Sequence, residues 1–319
     1  MFVSDVEQMY RQILVHPDDQ KFQQILWRNS LKVEIGVWSL QTVTCGIICS
    51  PFMAIRVMRQ LAKDEGIKFL LRAKIVSEET YIDDALSGGH GLEKALSKKY
   101  EIIQICKVGG FNLHKWLANE KMLLNVTQSL RVDYNLSDSC FGLLGLDCNP
   151  LNDYFSIFIS IDQFKGDITK RKVLSSIAKI YDPLGWLAPV VITAKIFIQK
   201  LWLAKIDWDD ILPIYLKNEF LSWYNNISAL NEFKINRWIG YTPDSKYEIY
   251  GFSDASKVGF GACVYLKVIN KENTVINLIQ AKSKVAPIKP ILTTPKLELI
   301  ALLLYNLHVL FFIARRTLL

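Results

Sequence analysis

The chain predicts an α+β fold in three stretches, and three observations point there. The first half is built from short apolar runs with strand-type residues, interrupted by two helical patterns. The middle carries long apolar helical patterns and no strand signal. The last part reads as three strands followed by one helix. Mixed segments of this kind make layered α+β domains. At 319 residues there is room for two or three of them, and an apolar content of 50% is enough for packed cores and excludes global disorder.

Taken in order, Phe2 to Val6 is a short apolar strand around Asp5, and Phe22 to Arg28 and Val33 to Leu40 are further strand material. Ser50-Pro51 opens a helix through Ala54, Val57, Met58 and Leu61, with Pro51 at the first helical position and Ser50 as its cap. Gly91 to Val108 is a second amphipathic helix. Leu143 to Leu146 and Tyr154 to Ile161 flank Asn149-Pro150-Leu151-Asn152-Asp153, a strong hairpin signal. After Gly166 the pattern turns helical: Ile168 to Tyr181, a break at Asp182-Pro183-Leu184-Gly185, then Pro189 to Ala204 and Ile214 to Ile227. Trp238 to Lys246, with Gly240, Pro243 and Asp244, marks a boundary. Tyr247 to Ser253, Gly259 to Val268 and Thr274 to Ala281 are strands, and Thr294-Pro295 caps a helix running to the end.

Composition narrows the function classes. The net charge of +7 suits a polyanionic partner without requiring one. Six cysteines, of which only Cys45 and Cys49 lie close together, complete neither a zinc pattern nor a disulfide framework, and read as reduced, buried thiols of an intracellular protein. The N-terminus has no basic n-region or apolar h-region, so no signal peptide is expected. Leu299 to Ala314 is almost wholly apolar but shorter than the ~18–20 residues of a spanning helix, which favours a buried helix over a membrane anchor. No Asp-Thr-Gly or Asp-Ser-Gly loop is present, which excludes aspartic protease chemistry. His16, His90, His114 and His308 form no ligand or triad pattern and read as surface or satisfied residues.

The most informative stretch is Tyr81-Ile82-Asp83-Asp84, with Leu86-Ser87-Gly88-Gly89 close behind. It reads as a tight hairpin with Asp83 near its tip, and carboxylates on such a turn suit Mg²⁺, which takes one or two carboxylates plus substrate phosphates. Asp18-Asp19 and Asp209-Asp210 repeat the dipeptide in what read as solvated loops. With Asp5 on a neighbouring strand, three carboxylates are available for a pair of metal ions about 3.5–4 Å apart, the arrangement that serves nucleotidyl transfer. Tyr10 follows Asp5 by five residues, close enough to pack under the sugar of a nucleotide and sense its 2′ position. The plainer alternative makes Asp5 a helix cap and Tyr10 a core residue.

These stretches together resemble the reverse transcriptase and RNase H region of Bel-Pao retrotransposon polyproteins over nearly the whole chain. Ser4 to Ile13 resembles the first palm motif, and Thr42-Val43-Thr44-Cys45-Gly46 with Ser50-Pro51-Phe52 the second. Tyr81-Ile82-Asp83-Asp84 resembles the polymerase signature. Gly109-Gly110-Phe111-Asn112-Leu113 with Lys115-Trp116 resembles the next motif, and Leu144-Gly145-Leu146 with Asn149-Pro150 the primer-grip hairpin. Ile180 to Pro189 is the stretch most particular to these elements, and Cys148 departs from the large aromatic usual in the hairpin.

The resemblance implies an RNA-directed DNA polymerase. Asp5, Asp83 and Asp84 would hold two Mg²⁺ or Mn²⁺ ions, Tyr10 would be the gate against ribonucleotides, Gly46 would admit backbone to the nucleotide, and Lys115 would protonate or neutralise the departing pyrophosphate. The implied partners are an RNA template, a DNA primer, their hybrid and deoxynucleoside triphosphates, with no obligate membrane partner. The implied domains are a palm over 1–166 with most of the fingers missing, a helical thumb or connection over 167–245, and the N-terminal half of an RNase H-like fold over 246–319. Asp254 on the first strand of that last part and Glu298 on its helix resemble the first two RNase H metal ligands. Nothing after Glu298 is acidic, so no RNase H activity is expected of this chain alone. The alternative from another class is a catalytically dead remnant, either inert or only binding nucleic acid.

Overall fold

The computed structural model describes residues 1–66, 70–124, 141–143, 146–160 and 166–314, and they form two compact units that divide between residues 137 and 138. Unit 1 is built on a four-stranded antiparallel sheet in the order β4-β5-β1-β6, from β1 (Phe2–Val6), β4 (Thr80–Tyr81), β5 (Asp84–Ser87) and β6 (Leu113–Ala118). Its helices are α1 (Met9–Gln12), α2 (Ser50–Gly66), α3 (Leu70–Glu78) and α4 (Leu92–Val108). A separate hairpin pairs β2 (Gln24–Trp27) with β3 (Gly36–Ser39). The strand–helix order follows the sequence pattern, with α3 and β6 as additions that the apolar periodicity did not reveal. Ser50 begins α2, but its hydroxyl donates to Thr44 O at 2.5 Å instead of accepting from the helix, so it fastens the preceding loop and does not cap.

The core of unit 1 packs Phe2, Met58, Ile102, Ile105 and Trp116 between the sheet and helices α2 to α4. Lys99 of α4 is buried among them. Its ammonium lies 4.3 Å from the Trp116 ring centroid and donates to Leu123 O, so both the charge and a backbone acceptor are satisfied indoors. Burial alone pushes its pKa down to about 8.

Unit 2 opens with a sheet in the order β10-β9-β8-β7, from β7 (Phe141–Leu143), β8 (Leu146–Asn149), β9 (Tyr154–Ser156) and β10 (Lys234–Asn236). The expected Asn149–Asp153 hairpin is the β8–β9 connection, where Asn149 Oδ1 accepts from Asn152 N at 2.9 Å. The expected strands are shifted: pairing runs from Leu146 to Asn149 and stops at Ser156, and Leu144-Gly145 lies outside the described residues. Helices α5 (Lys170–Ala178), α6 (Ala188–Leu203) and α7 (Ile214–Asn226) follow, with Phe197 and Phe220 stacked at 5.8 Å in their core. Lys170 is drawn in between Trp202 and Trp208, 3.4 and 5.1 Å from the ring centroids, and donates to Ile206 O. Asp209 forms a two-pronged ion pair with Arg171, so this Asp-Asp pair is a structural tie.

The last elements are β11 (Lys246–Ala255), β12 (Gly259–Ile269), β13 (Thr274–Val285) and α8 (Thr294–Ala314). The three strands pair antiparallel in sequence order. The stretch from Ile180 to Pro189 fastens α6 to β13. Asp182 accepts from the N–H groups of Trp186 and Leu187 at 2.9 and 2.8 Å, Trp186 Nε1 donates to Leu278 O at 3.1 Å, and Ala281 N donates to Leu184 O at 2.8 Å. Gly185 has φ +75°, and a Cβ there would stand 1.7 Å from Ala281 O, so only glycine lets the two backbones meet. These ties join the helices and the three-stranded sheet in a single unit.

Helix α8 packs on β11 and β12 through Leu297 and Ala301. The expectation of a buried helix at Leu299 to Ala314 needs correction over the residues whose side chains are described. Leu299, Leu302 and Leu303 are about half exposed, because the sheet covers only one side of the helix. No helix among the described residues is long and apolar enough to cross a membrane.

Candidate functional site

The carboxylates singled out in the sequence meet on the unit 1 sheet. Strand β1 lies between β5 and β6, and its register sets Asp5 opposite Asp84 on one side and opposite His114 on the other. Strands β4 and β5 are joined by a two-residue turn, Ile82-Asp83, with Tyr81 paired to Asp84. Ile82 has φ 56° and Asp83 is not left-handed, the sign pattern of a type II′ turn, whose first position normally takes glycine. A β-branched residue held there costs on the order of 1–3 kcal/mol. Val6 N donates to Asp83 O at 2.8 Å, which fixes the turn against the end of β1. Beneath it, Glu79 binds Lys98 at 2.6 Å and accepts from the Ser87 hydroxyl.

Asp84 carries the electrostatic signature of this crowding. Its pKa is raised to about 6, first by burial and then by the charges of Asp83 and Asp5, with Lys115 acting in the opposite direction. Tyr10 is also held above its ordinary value by burial, with Asp83 and Cys45 adding to the effect. It packs part-buried against the unit 1 core within the field of Asp83. Cys45 and Cys49 are exposed, which corrects the expectation of buried thiols at these two positions. Asp5 does not cap the following helix, because Gln8 stands at that cap. Gly46 has φ +87° and open space where a Cβ would sit, so the local demand for glycine is conformational.

Lys115 is in a strand, where the sequence reads as a loop. Between Val3↔Leu117 and Asp5↔His114 the pairing steps two residues along β1 and three along β6, so β6 carries a bulge. Lys115 sits in it with φ 51°. The bulge turns the side chain toward β1, and its ammonium lies 3.1 Å from Asp5 Oδ2. His114 Nδ1 is 3.1 Å from Asp5 O and 3.6 Å from Asp5 Oδ1. His114 is the functional candidate that sequence reading passed over, and its only signal was adjacency to Lys115.

Carboxylate oxygens on paired strands are the donor type for a hard divalent ion, and the raised pKa of Asp84 marks negative charge that a cation would relieve. The set is not a closed metal cluster: among the described residues, no three His, Cys, Asp or Glu side chains are grouped to hold an ion. Asp5 instead faces Lys115 and His114.

In unit 2, Asp254 is exposed near the end of β11, and its Oδ1 accepts from Ala255 N at 2.8 Å. Glu298 is exposed one turn into α8. Strand alternation and the pairing Asp254↔Gly261 put Asp254 on the sheet face next to α6. Helix α8 covers the opposite face, where Gly251 meets Tyr305. No ion pair or hydrogen bond ties Asp254 to Glu298. Beside Asp254 runs a groove of 680 Å³, lined by Trp186, Ile192, Ile196, Phe252, Cys263 and Tyr265 among others.

Residues 169–315 match the family model described as the Pao retrotransposon-like RNaseH-like domain, a span that takes in α5 to α7, the three-stranded sheet and α8. No curated protein matches the chain.

Proposed function

We propose, from the premise that the chain is a Bel-Pao retrotransposon Pol sequence carrying that RNase H-like domain, that unit 1 is an RNA-directed DNA polymerase site. The reaction is attack of a primer 3′-hydroxyl on the α-phosphate of a deoxynucleotide, with pyrophosphate leaving. The single observation that carries this reading is the register of Asp5 against Asp84, with Asp83 at the adjoining turn.

In this reading Asp5, Asp83 and Asp84 would hold Mg²⁺. A bound ion neutralises developing charge on the transferring phosphoryl group. The chain's own residues do the rest. Asp84, with its pKa raised to about 6, is ionised near neutral pH and would serve as a ligand in that form. Lys115, 3.1 Å from Asp5 Oδ2, would be the cation at hand for the leaving pyrophosphate. Tyr10 borders the site on the Asp83 side and would stand under the nucleotide sugar. The duplex would be held mainly by phosphate contacts, giving salt-sensitive binding. In unit 2, Asp254 and Glu298 are remnants of an RNase H site with no cleavage assigned.

Primer extension on an RNA template with Mg²⁺ tests the proposal, using the intact chain and the Asp83→Asn, Asp84→Asn pair. Extension lost in the pair supports polymerase chemistry. One observation favours the second reading, a remnant that binds nucleic acid without reaction: Asp5 is engaged by Lys115, and among the described residues it belongs to no three-carboxylate cluster. Hybrid binding without extension by the intact chain would select it.

A further inference from the structure

We propose that Cys45 and Cys49 form a reversible disulfide that locks the loop carrying Gly46 and makes the unit 1 site sensitive to redox state. The bond itself stands on the geometry of the loop. Its effect on nucleotide binding rests on the polymerase reading.

The two thiols bracket Gly46-Ile47-Ile48. Hydrogen bonds already draw the ends of this segment together. The Ser50 hydroxyl donates to Thr44 O at 2.5 Å, and Ser50 N donates to Ile47 O at 3.0 Å. Thr44 and Ser50 flank the cysteines, so the pair lies inside a loop whose ends are held closed. Gly46, with φ +87°, supplies the bend between them. Cys49 O accepts from Met53 N at 2.9 Å, which fixes Cys49 at the entry to α2. A disulfide needs Cα atoms about 4.4–6.8 Å apart, a separation that a closed loop of this length reaches with little backbone movement.

Exposure separates this pair from the other described thiols. Cys45 and Cys49 are open to solvent, whereas Cys106 and Cys148 are buried. Burial pushes the Cys106 thiol up to about 12 and also raises that of Cys263, which disfavours the reactive thiolate at both. Cys45 also lies within electrostatic reach of Tyr10, because its charge adds to the raised pKa of that phenol. A change at Cys45 is therefore felt at the residue that would stand under the nucleotide sugar.

The oxidant is a small disulfide such as oxidised glutathione. One thiolate of the pair attacks it, forms a mixed disulfide and expels one glutathione thiolate, which takes up a proton. The second thiolate attacks the protein sulfur of that mixed disulfide. The Cys45–Cys49 bond forms, and the second glutathione leaves as a thiol. The chain gives up two electrons and two protons, and one small disulfide becomes two thiols. Excess reduced glutathione reverses both steps. Once closed, the bond holds the Gly46 loop in one shape and removes the adjustment needed to fit a nucleotide.

The test equilibrates the full chain in glutathione buffers of rising disulfide fraction, then alkylates it and digests it with trypsin. Both cysteines fall in one peptide, Val33–Arg56. On oxidation it should lose two hydrogens and resist alkylation, and dithiothreitol should restore both thiols. The oxidised chain should unfold at a higher temperature than the reduced one, because the bond restricts the unfolded chain. Cys45→Ser and Cys49→Ser should each lack that rise. Serine is a good residue at the start of a helix, so Cys49→Ser should fold as the parent does. Deoxynucleotide binding with Mg²⁺, titrated by calorimetry, should weaken by about 5-fold or more when the parent is oxidised and stay unchanged in Cys49→Ser. Two glutathione adducts on the peptide, with no internal bond, overturn the proposal. So does an internal bond that leaves melting temperature and nucleotide affinity as they were. A reduced chain that binds no nucleotide counts against the polymerase reading alone, and peptide mass and melting temperature then decide whether the loop is locked.

Discussion

Lys115 reaches Asp5 because β6 carries one residue more than β1 at that point, and the extra residue is Lys115 itself in a left-handed conformation. Without the bulge, strand alternation would send Lys115 and His114 to opposite faces. With it, both face Asp5, at 3.1 Å from Oδ2 and 3.6 Å from Oδ1. Local backbone geometry thus creates the cationic side of the site.

The first prediction concerns that pair. Lys115 is largely exposed, so its ion pair contributes only about 0.2–1 kcal/mol to stability. Lys115→Ala should leave the melting temperature almost unchanged. It should strengthen Mg²⁺ binding measured by calorimetry, since a competing cation is removed. If Lys115 meets the leaving group, extension should fall by roughly 10²–10⁴-fold, the usual loss for a general acid. Unchanged extension with intact Mg²⁺ binding would remove Lys115 from the mechanism.

Much of this site was legible in the sequence, and the missing parts have physical reasons. Adjacent carboxylates between strand-type residues and a glycine pair sufficed to place the Asp83 turn, and the apolar run around Asp5 sufficed for β1. The strand holding Lys115 did not show, because a bulge breaks the period-two alternation by which strands are recognised. Ile82 is the opposite case: a β-branched residue where glycine is expected hides the turn type while the hairpin stays visible. The exposed leucines of α8 were misjudged because an apolar run reports composition and cannot say how many sides a neighbour covers.

The crowding at Asp84 gives a second prediction. Its folded pKa, about 6, lies above the ordinary carboxyl value, so the folded state holds the extra proton between about pH 4 and 6. The contribution of this group is therefore best below that window and worsens as pH rises through it. Asp84→Asn abolishes the ionisation. It should be more stable than the parent by about 0.5–1 kcal/mol above pH 6, with the gap closing toward pH 4. Urea unfolding of both proteins across pH 4–7 measures this, and a gap that widens on acidification would contradict it.

Lys99 provides the matching case for a base. Burial depresses its pKa to about 8, below the value of an unfolded lysine, so above pH 8 the unfolded chain binds more protons than the folded one. Stability from this group therefore rises with pH from about 8 and levels off above the unfolded pKa near 10.4. Lys99→Met keeps the buried stem and removes the charge, the Trp116 contact and the bond to Leu123 O. The variant should lose the alkaline rise in urea-unfolding free energy between pH 7.5 and 9.5. A rise of equal slope in the variant would assign it to another group.

The docking of α8 gives the last prediction. A Cβ on Gly251 would stand 1.6 Å from the Tyr305 ring, a distance no side-chain contact tolerates, so the helix rests on bare backbone at this point. Gly251→Ala should destabilise unit 2 by about 1–3 kcal/mol, the usual cost of an overpacked contact. Tyr305→Ala alone should cost less, since the ring is only part-buried. Combining the two should recover most of the loss, because the clash requires both groups, and that non-additivity separates a direct contact from a general weakness of β11. Thermal unfolding of the two single variants and the double variant closes the cycle. Strictly additive losses would mean that α8 shifts to accommodate the added methyl group without using the space vacated by the ring.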